Sequence, residues 1–485
     1  MYRRTAVLLC LWSGMAAAAP LSAAGIIGVT RGGADLKVPP TEPADATWRY
    51  GLGTAHQIGP RQAALFCGIR REYGPGVDFE IGTDAVLFDD LSDVRAERAV
   101  VLSRNHLEPN PNSDPPGKPA VMVKYPVQGG FIPLGARREN GSPYEQGGTG
   151  FGVASAIGWP AADSDASGDK VWRFENPRGV EPFGRNEQHK YFEVQQYAFD
   201  GEAFRVVETR KVAETELVSG WRVTNRGLGP AILDGEDLIM GMVGAPLAAT
   251  GSVPSEPTGA VLVRWEHRNG KWEASDIIPV TGGDNSFEPS VARDRDGSLL
   301  FCVRGGKEPD HNDVRIWRSR DQGRNWEQII YVRGIIGSTP INLNPATDGS
   351  LYVASNLYQV HMHPWPHTYR LPRDRRGNQR GGGWLRETLA LWPLRPDRTG
   401  LETPIIARDC RSEFGTPPGG STWNVDHPIA VNLRLRDGRW HNVMVTRIVE
   451  YGEIVRQLGP APQSGAYLEE VHSSGKPVPA WRFED

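Results

Sequence analysis

Apolar and polar residues alternate over short stretches of this chain, and glycine turns separate the stretches. Phe192-Glu-Val-Gln-Gln-Tyr-Ala-Phe199 runs into Asp200-Gly201 and then into Ala203-Phe-Arg-Val-Val207; Val261-Leu-Val-Arg-Trp265 runs into Asn269-Gly270. A period of two marks half-buried strands, and Asp-Gly or Asn-Gly between two such runs marks hairpins. Apolar runs of helical period and useful length are scarce, so the pattern predicts an all-β fold, most clearly from about residue 190 onward.

Three segments repeat one plan. They are Phe287-Glu-Pro-Ser to Arg304, Ser338-Thr-Pro-Ile to Asn356, and Asp426-His-Pro-Ile to Arg447. Each has a Pro, a short strand, Asp-Gly, a second strand and a polar residue. The gap from Pro to Asp is 7, 8 and 9 residues, and the first two Asp-Gly pairs stand 52 residues apart. Four short strands repeating at about 50 residues is the arithmetic of a propeller blade. A β-sandwich with similar hairpins is the alternative. The 461 residues after position 24 suit six or seven four-stranded blades. A single propeller domain over 25–485 is the expectation, with blades clearest over 250–450 and weakest over 25–190.

Composition narrows the function. The chain has 485 residues, with 57 Gly and 39 Pro, which favours turn-rich β structure over helix bundles. A net charge of −4 gives no reason to expect nucleic acid as a partner. Arg outnumbers Lys 45 to 9, and guanidinium forks suit carboxylate or sulfate ligands. Arg3 and Arg4, an apolar Thr5–Ala19 and small Ser22-Ala23-Ala24 read as a signal peptide over 1–24, so the expected location is secreted or periplasmic, with no membrane span. Cys67, Cys302 and Cys410 remain, allowing at most one disulfide, and no Cys-x-x-Cys suggests a zinc site. Two Gly-rich stretches, Gln128–Gly135 and Gly147–Gly152, lack nucleotide-loop spacing and read as tight loops. Asn186-Glu-Gln-His-Lys190 offers an acid and a His with no indication of orientation.

Ser319-Arg-Asp321-Gln-Gly323-Arg-Asn-Trp326 follows a strand at Val314–Arg318. This Ser-x-Asp-x-Gly-x-x-Trp spacing resembles the Asp-box, or BNR repeat, of the sialidase superfamily. Its role is structural: Gly323 allows the turn, Asp321 caps its backbone and Trp326 packs between sheets.

The resemblance implies a site at the channel mouth where the first strands of the blades begin, with the Asp-box at the opposite end. The residues before the three blade prolines, Glu288, Thr339 and His427, then face the mouth, and Arg304, Asn356 and Arg447 return to it. The loops carrying His311, Tyr358, His361, His363 and His367 hang over the same face. True sialidases carry Tyr/Phe-Arg-Ile-Pro at the first copy, where this chain has Ser286-Phe287-Glu288-Pro289. Glu thus replaces an Arg of the sialic acid clamp, which points to another acidic sugar.

The expected activity is a secreted carbohydrate-active enzyme on an acidic glycan, a sialidase-like glycoside hydrolase. The alternatives are a propeller polysaccharide lyase on uronates, a non-catalytic glycan-binding propeller and a structural module. Glu288, Asp426 and His427 are the candidate catalytic residues. Arg304, Arg447, His311, Asn356, Tyr358, His361 and His363 are the candidate substrate contacts. No cofactor or metal is expected.

Overall fold

A computed structural model describes residues 25–30, 48–71, 82–95, 98–161, 183–248, 258–284, 286–305, 313–336, 339–357, 386–415, 422–451 and 465–484. Residues 1–24, read above as a signal peptide, and His311, His361, His363 and His367 lie outside these residues. The fold is all-β: six antiparallel sheets, each built on four strands, form a six-bladed propeller. The count settles at six rather than seven.

Blade 1 comprises Trp48–Gly59, Gln62–Arg71, Gly82–Phe88 and Ala99–Arg104. Blade 2 comprises Gln128–Ile132, Thr149–Pro160, Lys190–Phe199 and Phe204–Ala213. Blade 3 has a broken inner strand, Trp221–Arg226 and Ile232–Asp234, followed by Asp237–Pro246, Gly259–Arg268 and Lys271–Pro279. Blade 4 comprises Ser286–Arg293, Leu299–Gly305, Val314–Ser319 and Glu327–Val332. Blade 5 comprises Asn342–Pro345, Leu351–Asn356, Thr388–Pro393 and Ile405–Asp409. Blade 6 comprises Thr422–Arg434, Trp440–Tyr451 and Gly465–Ser473, and the N-terminal Ile26–Thr30 supplies its outer strand.

Neighbouring inner strands are tied by hydrogen bonds. Leu228 N–H donates to Pro289 O, Leu343 N–H to Ser290 Oγ, Ala430 N–H to Asn344 Oδ1, Arg434 N–H to Gln57 Oε1 and Ala231 N–H to Gly129 O. Inner strands that run parallel around an axis put all their starts on one face. Their turns gather on the other, including Asp296-Gly297, Asp348-Gly349 and Asp437-Gly438.

The core fills the wedges between blades. Phe151 of blade 2 stacks on Trp265 of blade 3 with ring centroids 4.0 Å apart, and both are fully buried. The three described cysteines are buried and unpaired, so packing rather than disulfides carries stability.

The Gly-rich stretches of blade 2 correct the sequence reading, which made them loops. Gln128–Ile132 and the residues from Thr149 onward are strand, while Gly135 and Gly147–Gly148 do lie in turns, and within the strands glycine is what lets them pack. A Cβ on Gly129 would sit 1.9 Å from Phe151 O, and one on Gly152 would sit 2.1 Å from the Tyr197 hydroxyl. Close backbone approach selects glycine there in spite of its low strand propensity.

At the turn end, Asp321 accepts from the Asn325 N–H (2.9 Å) and from Ser319 Oγ (2.8 Å), while Ser319 Oγ accepts from the Gly323 N–H (2.7 Å). Gln322 and Gly323 take positive φ of 60° and 91°, and Trp326 meets Phe301 edge-on. Asp321 is therefore occupied with its own turn.

The C-terminal tail straps this same end. Val478 N–H donates to Thr347 O in blade 5, and Arg137 N–H, in the blade 2 insertion, donates to Arg482 O. Trp481 meets Tyr144, and Phe483 stacks with Trp440 of blade 6. The strap joins blade 5 to blade 2, which are not neighbours, and partly buries Trp481 and Phe483 against the core. A chain ending at Ser473 is expected to unfold at lower temperature, with a loss of about 2 kcal/mol from the partial burial of two aromatic side chains. An unchanged thermal midpoint would show that the strap adds nothing to ring closure.

Candidate functional site

Two inner strands carry the same unusual feature. Glu288 and His427 each precede a proline, and each takes positive φ, 50° and 54°. Pairing with the second strand skips at the same point, between Phe287 and Ser290 in blade 4 and between Asp426 and Ile429 in blade 6. Non-glycine residues in this region cost about 1–3 kcal/mol and persist only where their surroundings hold them. The bulge turns the side chain out of the strand's alternation. Blade 3 makes room for the one in blade 4 with Gly227 and Gly241, whose Cβ positions would meet Pro289 at 2.5 and 3.1 Å.

Around Glu288, Arg304 Nη1 donates to Oε2 at 2.7 Å, and the Arg304 guanidinium lies over the Phe287 ring. The Glu288 side chain is 20% exposed and that of Arg304 10%, so both are within reach of a ligand. Arg315 braces the strand start through Asp284 and Ser286.

Around His427, Asp426 is the hub. Arg447 grips it with both prongs, Nε to Oδ1 and Nη2 to Oδ2, each at 2.8 Å. Arg386 Nη1 donates to Oδ2 at 2.7 Å, and His427 Nδ1 donates to Oδ1 at 2.8 Å. Asp426 is wholly buried. Burial alone would raise its pKa, but Arg447, His427 and Arg386 outweigh that and hold it well below the ordinary carboxylate value. An ionised Asp426 can only accept, so the His427 ring carries its proton on Nδ1, leaving Nε2 as the unprotonated nitrogen. Burial lowers the pKa of His427; Asp426 and Glu288 oppose that shift without reversing it. Glu288 thus acts on His427 through its charge, which links the two bulges electrostatically.

The structure thus brings together Glu288, Arg304, Asp426, His427 and Arg447. Asn356 stands beside this cluster but is fully buried: its amide donates to the carbonyls of Val425 (2.6 Å) and Arg386 (3.2 Å), which joins blade 5 to blade 6. Thr339 is also fully buried and bonds Ser355. His311, Tyr358, His361 and His363 lie outside the described residues. Sequence reasoning missed Arg386, which belongs to no repeat and reaches Asp426 only through the packing of blade 5 on blade 6. Among the described residues no helix is long and apolar enough to cross a membrane.

No protein-family model matches the sequence, and no curated protein does. Solved structures do match. A Dyadobacter fermentans protein of unknown function has 10% identity and a TM-score of 0.51, over 94% of this chain and all of that one. The two share a fold. Trypanosoma rangeli sialidase in complex with the inhibitor DANA has 11% identity and a TM-score of 0.48, over 92% of this chain and 59% of that one. The sialidase Hz136 has 11% identity and a TM-score of 0.47, over 87% of this chain and 65% of that one. At such identity these likenesses concern architecture, and function has to come from the site's own chemistry.

Proposed function

We propose that the chain is a carbohydrate-active enzyme on an acidic glycan, and that it breaks the glycan by base-initiated elimination at a uronate. The observation that carries this reading is the Asp426–His427 pair set among arginines. A neutral imidazole with Nε2 unprotonated is a general base at neutral pH. The guanidinium groups of Arg304, Arg386 and Arg447 suit the substrate carboxylate, whose neutralisation eases removal of the adjacent C–H proton. That proton passes to His427 Nε2. The electron pair forms a C=C bond as the neighbouring C–O bond to the next sugar breaks, and the departing oxygen takes a proton from the imidazolium or from water. Asp426 is the positioning residue.

Hydrolysis is the second reading, and Glu288 favours it. A glycosidase needs two carboxyl groups flanking the bond. Asp426 is buried under two arginines, so Glu288 would act without a second carboxylate from this cluster. The test is a panel of acidic polysaccharides followed in two ways, by the ultraviolet absorbance of an unsaturated uronate and by new reducing ends. Elimination gives both signals together, whereas hydrolysis gives reducing ends alone. Glu288→Gln is expected to raise KM several-fold, because Arg304 loses its partner, and to leave kcat within a few-fold. A collapse of kcat would give Glu288 the acid–base role and favour hydrolysis.

A further inference from the structure

Above blade 2 lies a second group of polar side chains that the mouth chemistry does not use. The second strand of blade 2, Thr149–Pro160, outruns the inner strand: its first half pairs with Gln128–Ile132 and its last residues pair with Lys118–Lys124. Lys118–Lys124 forms a hairpin with His106–Asn110. Because Thr149–Pro160 climbs away from the turn end, this hairpin stands on the mouth side, as a wall on blade 2.

Strand alternation puts one set of residues on one face of the wall. Register aligns His106 with Met122 and Gly158, Lys124 with Ala156 and Tyr191, and Glu193 with Lys211. In a flat sheet four strand spacings, about 19 Å, would separate Glu108 from Lys211. Yet Lys211 Nζ pairs with Glu108 Oε2. The sheet therefore curls over the small residues Ala120, Ala156 and Gly158. Glu108 also meets His189 Nε2 at 2.6 Å, His106 Nε2 at 3.0 Å and the Tyr191 hydroxyl at 3.4 Å. Lys124 pairs with Glu193 deeper in the curl.

The rim of this curl is open to solvent: the His106 side chain is 36% exposed and Lys211 52%. Burial would raise the Glu108 pKa, but hydrogen bonds from Lys211, His106 and His189 hold it at about 2, so it is a carboxylate at any working pH. Two lysines balance two glutamates, and the face carries no net charge when the imidazoles are neutral. Among the described residues no group of His, Cys, Asp and Glu side chains is placed to hold a metal ion.

A charge-balanced rim in which a carboxylate lies beside an ammonium and an imidazole is suited to adjacent hydroxyl groups, each of which donates to one partner and accepts from another. A second anion would meet Glu108 and Glu193, and a cation would meet the lysines. We infer that the wall of blade 2 is a subsite for a neutral sugar ring of the same glycan, with Lys211 as donor and Glu108 and the outer nitrogen of His106 as acceptors. The inference rests on the proposed function above and refines it: the substrate joins an acidic unit, taken at the mouth, to a neutral unit, taken at the wall.

The test is calorimetric binding of two oligosaccharides to the full chain: a tetrasaccharide alternating glucuronic acid with a neutral hexose derivative, and tetragalacturonic acid. The parent protein is expected to prefer the alternating compound about tenfold, the worth of one or two hydrogen bonds to charged groups. The double variant His106→Gln with Lys211→Met is expected to lose that preference to within twofold, keep its affinity for tetragalacturonic acid and keep its melting temperature. Glu108→Gln keeps the side chain's size and should also lose the preference. A preference that survives in the double variant, or is absent from the parent while tetragalacturonic acid binds, overturns the subsite and leaves the mouth reading standing. Binding of neither compound removes the acidic-glycan reading, and the subsite falls with it.

Discussion

His427→Gln is expected to lower turnover by roughly 10²–10⁴, the span of a single general acid–base group, with the fold retained. Gln can still donate to Asp426, so the buried carboxylate keeps a partner, but no basic nitrogen remains. The pH profile carries the same information. The folded pKa of His427 lies below its ordinary value of 6.5, so the base form already predominates at neutral pH. Activity should therefore be flat from neutral into mildly alkaline conditions and fall on the acid side, below the usual histidine midpoint. The sign for stability agrees. A histidine whose folded pKa is depressed contributes fully above its unfolded pKa, and the contribution is lost as pH falls through the folded value. A parent enzyme whose rate rises with acidity, or a Gln variant at full turnover, would end the assignment of His427 as the base.

Asp426→Asn should be the most damaging change to the scaffold. It leaves Arg447 and Arg386 buried without their carboxylate, and breaking a buried ion pair from one side costs about 3–5 kcal/mol. The neutral amide can also turn its NH₂ toward His427 and move the ring proton to Nε2, so that the folded fraction should lose roughly 10³–10⁴ in turnover. Denaturant unfolding and turnover per folded molecule separate the two effects. The acid limb of stability gives a further check. The folded pKa of Asp426 is well below the carboxylate value, so its contribution is complete above about pH 4, its unfolded value, and drains away as pH falls through the folded one. The Asn variant should show a shallower loss of stability in that acid range. If the variant melts with the parent and retains turnover, Asp426 neither holds the arginines nor orients the imidazole.

Much of the propeller was legible in the chain because its rules are local. Alternation along Phe192–Phe199 and Asn-Gly at 269–270 each fix a strand or a hairpin within a dozen residues, and Asn269 and Gly270 do take the positive φ that such a turn requires. The Pro and Asp-Gly spacing of the three repeats gave strand direction, and hence put Glu288, Arg304, His427 and Arg447 at the same end of their blades. Blades 1 and 2 were obscure for a reason of the same kind. Their strands are broken by glycines such as Gly129 and Gly152, chosen for what crosses them rather than for local preference. Tertiary structure alone decided the rest. Asn356 looks like a mouth residue in the repeat but is spent on carbonyls of Val425 and Arg386, because blade 6 leaves those acceptors buried beside it. Arg386 reaches Asp426 from another blade, and Glu108 reaches Lys211 across a curled sheet, over 103 residues of chain. A sequence states what each residue prefers among its neighbours along the chain; which charges must share a buried space is set only when the blades close into a ring.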